Sequence, residues 1–430
     1  MFSKLRVVFD VAPNFAKRVL ISLIIVSALY LVIFYNDAGK MRDAGVYIDS
    51  GLAVLKGENP YECCSRWGSF GPVPFSALMS IIPLAIRAAV VRILSLVGIY
   101  IFFRAVFPNK KSIEPLLIYL IIIWTSPVRE LLVTNQMTGI AVGLLGVGIK
   151  LSDKLNFGNL VTFRKILAVI PFAMALDMKP HITVVFFISW AIFAKRMDIF
   201  LSTALVMITT HAIINLSQMR ILELDWISRI GRLNSLASEN SLGDTVAFWP
   251  ILNNYINAPD FFHSLSLIFT FTLTAICFYL SKKQQKDAAI FLSFFVPATS
   301  IYYHFYDAVP LTVIVVILIV RMKNTFISGL VLSFFLVPLI FDSVRNQALI
   351  FTAGIVTVIW VRVRVSQRSY LQLLGGLFLG FTVAAVIHVL NLQLDLNERL
   401  LHSLIVTQCL VLAMIIFFYS KKEKISITQE

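Results

Sequence analysis

The chain is poor in charged residues. Asp, Glu, Lys and Arg make up 14% of its 430 residues, whereas 58% are hydrophobic. A soluble domain keeps about a quarter of its residues charged to cover its surface in water. The composition therefore excludes a water-soluble protein of this size and favours a membrane protein.

The sequence also lacks the short alternating segments that are typical of transmembrane β-strands. Runs such as 20–25 and 313–320 are apolar without interruption. Apolar stretches recur from residue 19 to residue 419, and a helix needs roughly 20 such residues to cross the hydrocarbon. Because a helix satisfies its own backbone hydrogen bonds, the sequence predicts an all-α polytopic integral membrane protein with about 12–14 transmembrane helices.

Cysteine is scarce, at four residues. Cys277 and Cys409 lie in apolar runs, and Cys63 and Cys64 are adjacent, so they do not easily pair with each other. No spacing typical of a metal site is present. We therefore expect no metal and no cofactor.

Basic residues outnumber acidic ones and give a net charge of +14. They cluster in short gaps between apolar runs, as the positive-inside rule predicts for cytoplasmic loops. No basic stretch forms the contiguous surface that nucleic acid requires, which excludes a nucleic-acid partner. The basic clusters lie near residues 4–18, 110–111, 154–165, 195–196, 282–286, 321–323, 362–368 and 421–424.

This bookkeeping predicts the domain organisation. Residues 1–18 form a cytoplasmic N-terminus and 420–430 a cytoplasmic tail. A transmembrane core covers 19–321 with outer loops at 36–70 and 217–261, and further helices cover 322–419. Residues 42–57 read as a short interfacial helix that stops at Gly57. The stretch 72–106 suits one net crossing, although its length and internal arginines also suit two crossings, or one crossing plus a re-entrant piece.

Charged and polar residues that the cytoplasmic gaps do not explain all fall on one side. A charged side chain near a membrane span costs free energy, so a functional role is the first hypothesis for each such residue. Their common side predicts a site at the outer face of the membrane. These residues are Asp43, Asp49, Arg129, Glu130, Gln136, Asp177, Lys179, His181, His304 and Asp307.

Each of the main candidates has a structural and a functional interpretation. Asp43 suits a helix N-cap or a general base. Lys179 suits an interfacial lysine or a point charge on phosphate. Arg129 suits a structural bridge or a phosphate clamp, and His304 suits an aromatic belt or a hydrogen-bond donor to phosphate. Residues interpreted as structural or as part of a wet loop are His211, His388, His402, Glu223 and Asp225.

Several motifs follow one another along this outer side. They are Asp43, Tyr47, Gly57 and Asn59-Pro60-Tyr61; Phe70–Phe75; Ser126–Glu130 with Asn135-Gln136; Met178-Lys179-Pro180; and Tyr303–Tyr306. In order, spacing and sidedness, this set resembles the polyprenyl-phosphate-sugar-dependent membrane glycosyltransferases of the GT-C fold, in particular glycosyltransferase family 87. The chain departs from the family at Phe70–Phe75, in an entry that is usually Tyr-Pro-Pro, and at Asn135, where Gly is usual.

The resemblance covers most of residues 19–321 and implies a GT-C-like bundle with an outer-face cavity. It implies an inverting transfer of a sugar, preferably mannose, from a polyprenyl-phosphate donor to a hydroxyl of a glycan or glycolipid at the outer face of the cytoplasmic membrane. It implies three sets of site residues: Asp43 as the catalytic base; Lys179, His304 and Arg129 on the donor phosphate; and Tyr47, Gln136, Tyr303 and Asp307 on the substrate.

Two other functions stay open on the sequence. An O-antigen polymerase or ligase shares a lipid-linked substrate, but such proteins usually carry a large late outer loop with arginines. The late outer loops here, 342–347 and 391–399, are short. A lipid-linked sugar transporter or flippase is the other alternative, although transporters place their polar residues near the middle of the membrane.

Overall fold

The computed structural model describes residues 13–33, 42–59, 81, 83–107, 114–155, 163–219, 221, 224–225, 259–299, 304–322, 325–336, 371–380, 382–383 and 411–418. Some side chains within these ranges, including those of Asp43 and Tyr47, are outside that description. The described residues form α-helices, short 3₁₀ segments and connections, with no β-strand among them.

The helices are numbered in chain order. They are α1 (Pro13–Ile33), α2 (Arg42–Lys56), α3 (Leu84–Val106), α4 (Glu114–Trp124), α5 (Ser126–Thr134), α6 (Thr138–Ser152), α7 (Phe163–Met178), α8 (Pro180–Phe193), α9 (Met197–Gln218), α10 (Pro259–Lys282), α11 (Lys286–Phe295), α12 (Val309–Arg321) and α13 (Thr325–Leu336). A further helix, α14, covers Leu371–Gly380. The 3₁₀ segments Val296–Thr299 and Phe305–Ala308 lie between α11 and α12.

Three of the described helices are long and apolar enough to cross a membrane. Their spanning parts are Ile86–Val106, Met197–Ser217 and Ser264–Lys282. A fourth crossing results if α4 and α5, which meet at an angle of 59°, form one broken span. The structure therefore agrees with the predicted all-α membrane class, while the number of crossings stays a prediction. Within 72–106, helix α3 runs unbroken past Arg87 and Arg92.

The break between α4 and α5 has a local cause. Thr125 is extended, with φ −69° and ψ 150°, and Pro127 follows within the first turn of α5. Proline fits the first turn of a helix because its missing N–H is not needed there. The Thr125 hydroxyl donates to the Ile122 carbonyl at 2.7 Å, which satisfies a carbonyl at the end of α4.

Glycines allow α3 and α6 to pack backbone against backbone. A Cβ added at Gly98 would overlap the Gly139 carbonyl, and one added at Gly143 would overlap the Gly98 Cα. Further along, a Cβ at Gly146 would lie 2.7 Å from the Phe102 Cα. Close approach through small residues four apart is a common way for membrane helices to associate. This contact fixes where the N-terminal ends of both helices lie.

Aromatic side chains hold the middle of the bundle together. Phe102 of α3 packs edge-to-face against Phe186 of α8 and Phe294 of α11, with ring centroids 5.8 and 5.4 Å away. Phe186 and Phe294 stack at 4.6 Å. All three are buried. This cluster joins helices that are distant in sequence into one core.

Basic residues with acidic partners gather at one end of the bundle, which we call the basic end. Asp198 at the start of α9 pairs with Arg196 at 3.0 Å and with Lys165 at the start of α7 at 3.4 Å. Arg321 at the end of α12 lies 3.7 Å from Glu114 at the start of α4. The predicted site residues that the structure describes with their side chains lie at the other end, which we call the opposite end; they are Arg129, Gln136, Lys179, His304 and Asp307.

Helix α2 ends where the sequence predicted. Gly57 has φ 79°, a left-handed conformation that glycine adopts without strain, and the helix stops at Lys56. Its buried side includes Ile48, Ala53 and Val54, and it packs against α5, whereas Leu55 is 65% exposed. Part of the face that was expected to lie on the membrane therefore contacts protein instead.

Candidate functional site

Polar side chains are buried together at the opposite end. Helix α5 ends at Thr134 and is followed by Asn135, whose φ of 53° is left-handed; α6 begins at Thr138. A single residue, Lys179, separates α7 from α8, and the segment Phe305–Ala308 leads into α12. These turns bring together the buried residues Arg92, Arg129, Asn135, Gln136, Thr138, Lys179 and Asp307.

The Asp307 carboxylate is the centre of this group. Its Oδ1 accepts from the Thr138 hydroxyl at 2.9 Å and lies 3.6 Å from Lys179 Nζ. Its Oδ2 lies 3.2 Å from His181 Nε2 and accepts from the backbone N–H of His304 at 3.3 Å. Asp307 is 1% exposed. One buried carboxylate therefore links the start of α6, the α7–α8 turn and the segment before α12.

The surroundings of Asp307 keep it ionised. Burial by itself raises the pKa of this carboxyl, but the Lys179 ammonium and the hydrogen bond from His181 outweigh that effect. The pKa of Asp307 consequently lies below its usual range. Asp307 is thus a carboxylate that balances neighbouring cations, and such a carboxylate is a weak base.

Lys179 is buried at the turn between α7 and α8. It is 2% exposed, and Pro180 directly after it begins α8. Its ammonium lies 3.6 Å from Asp307 Oδ1 and 5.2 Å from the centre of the Tyr306 ring, a cation–π distance. Lys179 had two interpretations from the sequence. Its burial contradicts the first, an interfacial lysine whose ammonium extends to water.

His304 contacts the same Tyr306 ring as Lys179. Its ring stacks on Tyr306 with centroids 4.9 Å apart and an interplanar angle of 13°. Its backbone N–H donates to Asp307. The structure therefore brings together three of the predicted site residues, Lys179, His304 and Asp307, and adds His181 to them.

Arg129 and Gln136 lie on or next to α5, which packs against the segment Phe305–Ala308. They are 3% and 4% exposed. The Gln136 carbonyl lies 3.5 Å from the Ser95 hydroxyl of α3. Helix α5 and the segment that contains Asp307 are therefore in contact, and Arg129 and Gln136 lie on or next to that helix.

The remaining predicted site residues are described less fully. Asp43 and Tyr47 lie on α2, and α2 packs against α5, the helix of Arg129. The side chains of Asp43 and Tyr47 are outside the described part of the chain, as is the whole of Tyr303. Their roles stay predictions.

Arg92 is a residue of this end that the sequence reading left without a role. Its Nε donates to the Leu132 carbonyl at 2.8 Å and to Asn135 Oδ1 at 3.0 Å, and its Nη1 donates to the Val32 carbonyl at 3.0 Å. It joins α1, α3 and the end of α5. An arginine inside an apolar run is the signal that could have identified it, because such a charge needs several buried acceptors.

Two expectations about structural residues change. His211, interpreted as structural, has a charged neighbour, since its Nε2 lies 2.9 Å from Asp177 Oδ1, and this contact joins α9 to α7. Asp225, interpreted as part of a wet loop, accepts at 3.2 Å from the Asn59 amide, which is buried. That bond connects the first predicted outer loop to the second.

Within the described ranges, no group of three or more His, Cys, Asp and Glu side chains is placed to hold a metal ion. The expectation of a metal-independent site stays a prediction. Comparison of the chain with protein-family models, with curated proteins and with solved structures finds no match. The relation to glycosyltransferase family 87 is therefore a resemblance carried by the motifs themselves.

Proposed function

We propose that this chain is an inverting glycosyltransferase of the cytoplasmic membrane. It moves a sugar, preferably mannose, from a polyprenyl phosphate to a hydroxyl of a glycan or glycolipid acceptor. In this proposal the helices form a multi-pass GT-C-like bundle, and the reaction takes place in a cavity on the extracytoplasmic side. A lipid donor suits such a chain because its isoprenoid tail stays among the helices while its phosphosugar reaches the aqueous surface.

The observation that supports this proposal best is the grouping of cationic residues at one end of the bundle. Lys179 and His304 both contact the Tyr306 ring, and the helix of Arg129 packs against the segment Phe305–Ala308. A leaving phosphate carries negative charge that such groups stabilise, and preorganised stabilisation of this kind usually dominates rate. The helix that carries Asp43 packs on the same α5.

The proposed reaction needs one general base. Asp43 takes the proton of the acceptor hydroxyl, and the oxygen attacks the anomeric carbon from the face opposite the phosphate. The bond between that carbon and the phosphate oxygen breaks with its electron pair going to the phosphate. Lys179, His304 and Arg129 stabilise the departing polyprenyl phosphate, while Tyr47, Gln136 and Tyr303 contact the sugars.

The charge distribution supports the proposed orientation. Lys165, Arg196 and Arg321 lie at the basic end, with the Asp307 cluster at the other. Basic residues favour the cytoplasmic side of a membrane. The proposal accordingly has the basic end in the cytoplasm and the site outside.

The Asp43→Asn variant tests the proposed base. Cells that lack the chain are complemented with the wild-type or the variant gene. Membranes prepared from these cells are then supplied with polyprenyl-phosphate [³H]mannose. Since a general base contributes roughly 10²–10⁴-fold, we expect Asp43→Asn to lose at least about 99% of transfer at an equal amount of chain. Asp49→Asn is the matched control, because Asp49 is an exposed carboxylate on the same helix.

Retention of more than about a tenth of wild-type transfer by Asp43→Asn excludes this base. A wild-type chain that moves labelled lipid across proteoliposomes and forms no covalent product points to a flippase instead. A requirement for a diphosphate-linked oligosaccharide points to a polymerase or ligase.

A further inference from the structure

We propose that Asp307 is a positioning residue of this site, acting through Lys179 and His181, and not a group that binds the sugar. This inference rests on the proposed transferase function and assigns a role to a residue that the motifs alone placed on the substrate. It follows from the contacts of a single buried carboxylate.

Each oxygen of Asp307 already has two polar neighbours. Oδ1 has the Thr138 hydroxyl and the Lys179 ammonium, and Oδ2 has His181 Nε2 and the His304 backbone N–H. A carboxylate offers about four acceptor positions. With four neighbours and 1% exposure, Asp307 has its acceptor capacity directed at the protein.

These contacts hold the α7–α8 turn in one arrangement. Lys179 and His181 stand on either side of Pro180, and both approach Asp307, which is 126 positions from His181 in the sequence. Because a carboxylate only accepts, it favours the imidazole tautomer that carries its proton on Nε2. Asp307 therefore sets both the position of the Lys179 ammonium and the orientation of the His181 ring.

Charge balance gives the same conclusion. Lys179 is 2% exposed. A buried ammonium without a partner would strongly destabilise the folded protein. The Asp307 carboxylate compensates that charge while leaving the ammonium against Tyr306, the ring on which His304 stacks. A cation kept charged and fixed in place beside an imidazole is what a leaving phosphate needs.

Three variants separate positioning from the alternatives. Asp307→Asn removes the charge at nearly constant shape, and Asp307→Glu keeps the charge but moves the oxygens. Thr138→Val removes one hydrogen bond to Oδ1 without changing charge. Asp198→Asn is the matched control, because Asp198 is also paired with two basic residues, Arg196 and Lys165, but at the basic end.

The experiment measures Vmax and KM for polyprenyl-phosphate [³H]mannose in native membranes at an equal amount of chain, and the melting temperature of each purified variant. We expect Asp307→Asn to lower Vmax about 100-fold, the size of one lost preorganised contact, with KM changed less than about threefold. We expect Asp307→Glu to melt close to wild type yet lose at least about tenfold in Vmax. Asp198→Asn should stay within about fivefold of wild type, and Thr138→Val should lower Vmax less than Asp307→Asn does, because it removes only one of the four contacts.

Three results would overturn the inference. A raised KM at unchanged Vmax in Asp307→Asn means direct donor binding. Wild-type Vmax in Asp307→Glu means that only the charge matters. If Asp307→Asn loses Vmax only in proportion to its loss of folded protein, the ion pair between Lys179 and Asp307 is purely structural. Failure of the proposed function shows separately, as absent transfer by wild type.

Discussion

At the scale of single residues, the opposite end depends on polar side chains that each bind several partners. Asp307 has four polar neighbours and Arg92 has three acceptors. A buried polar group without partners costs about 1–3 kcal/mol, so each contact adds to the stability of the site. Arginine suits position 92 because its guanidinium group donates hydrogen bonds in several directions at once.

Arg92→Lys tests this view of the arginine. A lysine replaces the arginine fork with a single nitrogen, so we expect at least one of the three acceptors of Arg92 to lose its hydrogen bond. We expect a lower melting temperature, equivalent to about 1–3 kcal/mol. Arg104→Lys is the control, since Arg104 is a half-buried arginine at the other end of the same helix. An equal effect at both positions would contradict the assigned role of Arg92.

Residue identities were more predictable than residue partners. Charges stand out in apolar sequence, so Lys179, His304 and Asp307 were identified from their settings alone. Their contacts depend on tertiary packing between distant elements: Thr138 and Asp307 are 169 positions apart. For the same reason His211, in an apolar helix, gave no sign of Asp177. The departure at Asn135 now has a physical explanation, since asparagine is among the non-glycine residues that best tolerate φ 53°.

At the scale of helices, the arrangement of the site depends on how closely α3 and α6 approach. Gly98, Gly139 and Gly143 bring the two backbones into contact. The start of α6 carries Thr138, and α3 carries Arg92. A change in the distance between these helices would consequently move two groups of the opposite end. Turn and helix limits such as Gly57 were readable from sequence because they are local, whereas this contact is not.

Gly143→Ala and Gly45→Ala should change stability in opposite directions. Alanine favours a helix over glycine by about 1 kcal/mol at either position. At Gly143 the added Cβ meets the backbone of Gly98, and overpacking costs about 1–3 kcal/mol, whereas at Gly45 nothing lies within 4 Å. We expect a lower melting temperature for Gly143→Ala and an equal or higher one for Gly45→Ala. Stabilisation by Gly143→Ala would mean that α3 and α6 are not in backbone contact.

At the scale of the whole molecule, the ion pairs of the predicted cytoplasmic gaps and the Asp307 cluster lie at different ends of the described helices. Basic residues with acidic partners lie at one end, and the cluster around Asp307 lies at the other. The basic gaps were readable from the sequence because they interrupt apolar runs, whereas the end that faces the cytoplasm stays a prediction. The number of crossings was less accessible, because short helices such as α5 and α8 do not reach the roughly 20 residues of a full span.

Cysteine labelling tests the proposed orientation of the two ends. In a chain with Cys63, Cys64, Cys277 and Cys409 replaced, one new cysteine is placed at an exposed position, in Asp49→Cys or Lys283→Cys. We expect an impermeant maleimide to label Asp49→Cys in intact spheroplasts, and Lys283→Cys only after permeabilisation. The reverse pattern would place the site in the cytoplasm.

The central claim is that a carboxylate on α2 and the cationic turns around Tyr306 meet at one lipid-linked donor. The most direct measurement is an experimental structure of Asp43→Asn with polyprenyl-phosphate mannose bound. The account predicts the donor phosphate within hydrogen-bond distance of Lys179 or His304, with residue 43 facing the anomeric carbon. A phosphate bound elsewhere, or residue 43 directed into open solvent, would contradict it.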